Sequence, residues 1–341
     1  MVEMQAAKSK YNATMYVGSN CIFSRAALKS IGGFATGSIT EDVATGMLLQ
    51  ANGYRTYFVK EALARGLAPE SFSEMLHQRD RWCRGNFQAT RKWNPIFYPG
   101  LTLPQRLLYF SGVLYWYFGV QKMIYLTAPI LFLDFGIKTM NASIFMILLF
   151  WFPQFHCGML TFKNIAKGRR TNLWSHIYET AMAPTLALSA IKETLFIKKS
   201  VFRVTEKGAE SNKIQVVWQS LIPFTVLLIS TVYGFCLQAS WVLNGKLIPA
   251  FYWINDFWSF YNLISIVFSI YVCIEPPRPR KYERFNISVP ISLNIDRLKY
   301  SGVTMDISEN GARIQLTENV YGIPNKLELL IERVQKAVLF I

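Results

Sequence analysis

Residues 101–275 hold most of the apolar excess of this 341-residue chain, in runs close to the roughly 20 residues a helix needs to cross a bilayer. No other feature limits the fold so strongly. A chain with 52% hydrophobic and only 17% charged residues is too apolar for an ordinary soluble enzyme. The segments 120–135, 143–162, "VVWQSLIPFTVLLISTVYGFCL" and "FYWINDFWSFYNLISIVFSIYVCI" read as spans. "LTLPQRLLYFSGVLYWYFG" reads as an interfacial helix ahead of the first. "NLWSHIYETAMAPTLALSAIKETLF" is interrupted by His176, Glu179, Pro184, Lys192 and Glu193, and is also expected to lie in the interface.

Charge orients these segments. "KNIAKGRR", "IKKSVFRVTEKG" and "RPRKYER" are basic, whereas "GIKTMNA" and "QASWVLNGK" are not. With about four spans, every basic loop and residues 1–100 fall on one side, the cytoplasmic side by the positive-inside rule. The net charge of +15 therefore fits anionic lipid, and no nucleic-acid motif accompanies it. The scattered cysteines (Cys21, Cys83, Cys157, Cys236, Cys273) suggest neither a disulfide framework nor a zinc site. The first twenty residues lack the apolar core of a signal peptide.

The flanks differ from this membrane region. Residues 1–100 read as α/β material, with strands expected in "TMYVGSNCIFSRAAL" and "GYRTYFV" and a basic helix in "FSEMLHQRDRWCRGNFQATRKW". After the break "EPPRPRK", the stretches "FNISVPISLNI", "GVTMDISENGARIQLT" and "NKLELLI" alternate like strands of a small all-β barrel, cut short at Ile341.

Thr40-Glu41-Asp42 opens an amphipathic helix, where such residues often serve as caps and as partners of the helix dipole. The second candidate is Gln78, Arg81 and Trp82, which share one helix face. An Arg fork matches diphosphate oxygens, an indole stacks on a pyranose, and a carboxylate accepts a proton from a sugar hydroxyl. Those are the parts of an inverting glycosyl transfer; an exposed basic helix is the plainer reading of the second set taken alone.

In combination these motifs resemble a known family. "GSNCIFSRAALKSIGGF", "ITED", "GLAPES" and "QRDRW", followed by membrane spans, resemble the second half of a processive family 2 glycosyltransferase domain of GT-A type, as in bacterial cellulose synthase catalytic subunits. "FRVTEK" matches that family's gating motif, and Arg280 to Arg284 with "DISENG" match the two motifs of a C-terminal PilZ domain. The resemblance implies residues 1–100 as half of a GT-A domain, 101–275 as a membrane channel with a gating loop at 198–212, and 276–341 as a truncated PilZ domain.

It also implies roles. Asp42 is the general base, with Glu41 and Thr40 shaping its pocket. Gln78 and Arg81 attend the diphosphate, and Trp82 holds the terminal sugar. Phe202, Val204, Thr205 and Lys207 close over the nucleotide. Arg280, Arg284, Asp306, Ser308 and Gly311 bind cyclic di-GMP, while Glu70 latches Arg280 when that ligand is absent. The reaction expected is transfer of glucose from UDP-glucose to a β-1,4-glucan, which then crosses the bacterial inner membrane with the help of an accessory or periplasmic subunit.

The family's DDG-type aspartate and DxD motif have no counterpart here, so ligands for Mg2+ or Mn2+ are expected outside this chain, in a missing N-terminal portion. Val17 replaces a frequent cysteine and Pro279 a frequent arginine. The motifs leave room for a synthase of a different β-linked polysaccharide, or for a non-catalytic membrane remnant that binds cyclic di-GMP.

Overall fold

The computed structural model describes residues 2–61, 68–69, 71–139, 144–166, 171–197, 214–246, 250–277, 284–295, 298–308, 311–318 and 328–331. The chain divides into two compact units, one of residues 1–209 and 214–276, the other of 210–213 and 277–341.

The first unit is helical: α1 (Val2–Ser9), α2 (Arg25–Ser30), α3 (Glu41–Ala51), α4 (Phe72–Lys92), α5 (Leu103–Leu114), α6 (Phe118–Phe135), α7 (Ile144–Ala166), α8 (Asn172–Thr194), α9 (Trp218–Leu243) and α10 (Ala250–Cys273). A 3-10 turn, Tyr115–Tyr117, joins α5 to α6. Its two-residue strands β1 (Gln215–Val216) and β2 (Ile274–Glu275) pair antiparallel.

Local sequence explains the ends of these helices. Ser71 caps α4, Glu74 lies in its first turn, and Arg91 and Lys92 lie in its last, which suits the helix dipole. At the start of α5, Gln105 Oε1 accepts from the Thr102 N–H at 2.8 Å. Gly136 ends α6 in the left-handed region at φ 68°.

Three helical stretches among the described residues are long and apolar enough to cross a membrane: Leu103–Phe135, Trp218–Leu243 and Tyr252–Cys273. The first is one rod, so the expected interfacial helix and span are continuous through the 3-10 turn. The helix α7 turns Phe145, Leu148, Leu149, Phe150 and Phe152 outward. By contrast, α8 buries Ile177, Ala181, Leu186 and Ala190 against its neighbours. One core joins Leu76 and Phe87 of α4 to Leu126 of α6, Leu186 of α8, Phe224 of α9 and Ile266 of α10. Burying large apolar side chains contributes about 1.5–3 kcal/mol each, so α4 is built into the same core as the apolar rods.

No strand forms among the described residues before Gln215. The expected strands around 14–17, 21–23 and 53–59 lack a ladder, because β-rich sequence gives a strand only where a second backbone pairs with it. Asn12 takes over part of that role. Its side-chain amide donates to the Tyr54 carbonyl at 2.9 Å and accepts from the Thr56 N–H at 2.8 Å.

The second unit holds β3 (Arg284–Phe285), β4 (Pro290–Ile295), β5 (Leu298–Ser308), β6 (Gly311–Leu316) and β7 (Glu328–Ile331). They form one antiparallel sheet in the order β3-β5-β4-β7, with β6 also on β5. Ile291 and Leu293 are buried beneath it.

Candidate functional site

The Thr40 side chain makes no capping bond, although Thr40 occupies the N-cap position of α3. It is buried and lies against Gly85 of α4, so close that a methyl group at Gly85 would fall 2.4 Å from Thr40 Cγ2. Ser38 reinforces this crossing: its Oγ donates to the Gly85 carbonyl at 3.1 Å and accepts from the Thr40 N–H at 3.2 Å. Gly85 stands four residues beyond Arg81 and three beyond Trp82, one helical turn away on the same face. Two motifs far apart in the chain therefore meet.

Asp42 lies at this junction. Its Oδ1 accepts from the Val43 N–H at 2.8 Å. Burial pushes its carboxyl above the usual range; Glu41 adds to the shift, while the Val43 bond and the Arg81 guanidinium oppose it. On the far side the 18–20 turn presses in. Gly18 has φ +88°, and a side chain there would begin 3.0 Å from Asp42 Oδ2. Glu41 is exposed.

Along α4, Gln78, Arg81 and Trp82 are each half-buried. Arg79 lies over the Trp82 ring, 5.3 Å from its centre, so a cation already occupies one indole face. Between Trp82 and the next turn, Cys83 is fully buried; desolvation, with Asp80 second, pushes its thiol up to about 12 and keeps it neutral.

The opposite side of α4 is tied to α8. Asp80 pairs with Arg84 at 3.0 Å and accepts from Ser189 Oγ. Arg91 pairs with Glu193 at 2.5 Å, also donates to the Glu193 carbonyl, and stacks on Phe196 at 4.9 Å. Gly18 opens the GSN motif, whereas neither Gly85 nor this α8 seam belongs to a motif. The usable signal was a lone glycine inside a strongly helical pattern.

In the second unit, the pairing of β3 with β5 sets Arg284 opposite Ser308, and the pairing of β5 with β6 sets Ser308 opposite Gly311 and Asp306 opposite Arg313. Asp306 is buried and pairs with Arg313 at 2.8 Å, while Ser308 Oγ donates to the Gly311 carbonyl at 3.0 Å. The sheet thus gathers Arg284, Asp306, Ser308 and Gly311 around one strand end. Glu70, Phe202, Val204, Thr205, Lys207 and Arg280 lie outside the described residues.

Comparison with known proteins finds similarity along most of the chain. Residues 1–165 match the model of glycosyl transferase family group 2, and residues 278–338 match the PilZ domain. The cellulose synthase catalytic subunit (UDP-forming) of Pseudomonas fluorescens strain SBW25 is 32% identical over 317 residues, 92% of this chain and 43% of that protein. The chain is a homologue of bacterial cellulose synthase catalytic subunits. The cellulose synthase 1 catalytic subunit of Komagataeibacter xylinus is likewise 32% identical over 314 residues, 90% of this chain and 42% of that protein. Cellulose synthase 2 of Novacetimonas hansenii is 32% identical over 327 residues, 94% of this chain but 20% of its own length. This cellulose synthase homologue therefore spans less than half the length of the curated relatives it matches.

Family 2 glycosyltransferases point to a divalent metal. Among the described residues, no group of three or more His, Cys, Asp or Glu side chains converges to hold one. Asp42 and Glu41 alone do not make such a site, and no step below runs through a metal.

Proposed function

We propose that this chain provides the acceptor side and the membrane passage of a processive, inverting glycosyltransferase that extends a β-1,4-glucan from UDP-glucose and is switched on by cyclic di-GMP. The observation that carries this reading is the Thr40–Gly85 crossing, which brings Asp42 within electrostatic reach of Arg81. A carboxylate with a raised proton affinity, half shielded from water, suits a general base.

In the proposed reaction the terminal hydroxyl of the glucan gives its proton to an Asp42 oxygen as its own oxygen bonds to C1 of the donor glucose. The bond from C1 to the diphosphate oxygen breaks with inversion, and UDP leaves with the electron pair. Arg81 and Gln78 stabilise the charge on the departing diphosphate, and the half-buried Trp82 indole is assigned to the terminal sugar. Thr40 and Glu41 shape the base's pocket. Phe202, Val204, Thr205 and Lys207 are assigned to nucleotide closure, and an Arg280–Glu70 pair to holding the enzyme off. Arg280, Arg284, Asp306, Ser308 and Gly311 are assigned to cyclic di-GMP. Donor uridine and Mg2+ or Mn2+ are assigned to residues outside this chain. The proposed setting is the bacterial inner membrane, with α7 as a fourth span, the soluble regions cytoplasmic, and an accessory subunit receiving the polymer.

The test uses the complete synthase bearing this chain, in nanodiscs, with radiolabelled UDP-glucose and cyclic di-GMP. Polymer sensitive to β-1,4-glucanase is expected from wild type, with a loss of about 10²–10⁴-fold in Asp42→Asn. Product resistant to that glucanase would exclude cellulose, and an Asp42→Asn enzyme of normal rate would exclude the assigned base.

A further inference from the structure

We infer that Glu275, at the foot of the last apolar helix, is a positioning residue that clamps the first turn of α4 and so fixes where Gln78, Arg81 and Trp82 stand. The inference rests on the reading above, in which α4 carries the groups that meet diphosphate and acceptor.

The first N–H groups of any helix lack an acceptor inside the helix. In α4 the cap residue Ser71 serves the Glu74 N–H, its Oγ accepting at 3.0 Å. The Phe72 N–H is served from elsewhere: it donates to Glu275 Oε1, more than two hundred positions along the chain. Glu275 is 6% exposed, and its Oε2 is buried with no hydrogen-bond partner among the described residues. A carboxylate removed from water in this way depends on the bond it does make and on the positive end of the helix dipole. The start of α4 supplies both.

The mounting of this carboxylate is rigid. Ile274 and Glu275 pair with Val216 and Gln215, and the Val217 N–H donates to the Cys273 carbonyl at 2.9 Å. Trp218 then begins α9. The clamp therefore joins the foot of α10, the head of α9 and the head of α4. At the other end of α4, Arg91 is held by Glu193. Gln78 stands about 9 Å and Arg81 about 13–14 Å along the axis from Phe72, at 1.5 Å per residue. A tilt of the first turn is carried along a stiff helix to both side chains, and a misplacement of about 1 Å at reacting groups can cost about 10²-fold in rate.

Glu275→Gln keeps an acceptor of the same reach and loses the charge. Glu275→Asp keeps the charge and shortens the reach, and Glu275→Ala loses both. Hydrogen exchange of this chain in nanodiscs reads the clamp directly. Amides of residues 72–76 are expected to exchange about tenfold faster in the Ala and Asp variants and about threefold faster in the Gln variant, with α3 unchanged. In the complete synthase, kcat is expected to fall about tenfold or more in the Ala variant, with KM for UDP-glucose within about threefold of wild type and the Gln variant recovering most of the rate. Wild-type exchange at residues 72–76 in Glu275→Ala would overturn the inference. So would faster exchange there with an unchanged kcat, since Glu275 would then be only a structural cap. If Glu275→Ala loosens every helix, Glu275→Gln decides by the same two readings. A wild-type synthase that makes no polymer would sink the transferase reading, and the exchange pattern would still decide the clamp.

Discussion

Asp42 holds its proton more tightly than an ordinary carboxyl, chiefly because it is desolvated. For an acid whose pKa is raised on folding, the ionised form is the disfavoured one, so stability present at low pH is lost as pH rises through the folded value. Asp42→Asn removes that burden and keeps an oxygen for the Val43 N–H. The variant should melt at a higher temperature than wild type near neutral pH while losing most of its polymerase rate, and the two curves should converge in acid. Rate should follow the same group: its acid limb is expected above the ordinary carboxylate range, and Arg81→Ala should move it further up, because Arg81 is the cation that lowers this pKa. Gly85 gives a purely steric prediction. Adding a methyl group 2.4 Å from Thr40 Cγ2 should cost about 1–3 kcal/mol in thermal unfolding, as overpacking does elsewhere. The acidic triplet and the Gln-Arg-Trp face were legible as residues with a chemistry. Their meeting at Gly85 was not, because a glycine in a helix announces a weakness in propensity and says nothing of what will press against it.

At the scale of elements, apolar periodicity identified the helices well, because long greasy runs leave few other folds available. It failed for residues 53–59, where aromatic and β-branched side chains promised a strand and the backbone instead leans on the Asn12 amide. Propensity describes a half-buried pleated surface, and cannot itself provide the second strand. The end of α8 was equally invisible. Phe196 adopts φ +57°, a left-handed conformation that costs a bulky residue about 1–2 kcal/mol. Its N–H reaches the Glu193 carbonyl at 3.3 Å and the Ile197 N–H reaches that of Lys192 at 2.9 Å, bonds that close the helix. Arg91 offsets the strain by stacking on the ring. Phe196→Gly relieves the backbone and forfeits about 0.5–1 kcal/mol of cation–π attraction, so its net effect on unfolding should stay within about 1 kcal/mol. Arg91→Ala should then cost less in the Phe196→Gly background than in wild type, by about 0.5–1 kcal/mol in a double-mutant cycle. Strictly additive losses would show that the ring and the guanidinium do not support one another.

For the whole molecule, the proposed orientation in the membrane rests on charge, and cysteine chemistry tests it. Cys21 is exposed in the same unit as Asp42, while Cys83 and Cys273 are buried. Cys157 and Cys236 are exposed on α7 and α9, whose outward faces are apolar. With Cys157→Ser and Cys236→Ser in place, Cys21 is the remaining thiol open to a polar reagent among the described residues. The basic segments flanking the apolar helices favour the cytoplasm for that side, since each Lys or Arg near an anionic leaflet contributes about 1 kcal/mol. A membrane-impermeant maleimide should therefore leave Cys21 unlabelled in intact spheroplasts and label it in inverted vesicles. Labelling in spheroplasts would put Asp42 on the face where no nucleotide sugar is made, and the polymerase reading could not survive it. Labelling only after detergent would place the 18–20 turn in a sealed environment and require another way in for the acceptor. The pattern of label across two vesicle orientations thus tests, with one thiol, whether a site assembled from Gly18, Asp42 and Gly85 opens on the compartment that its chemistry needs.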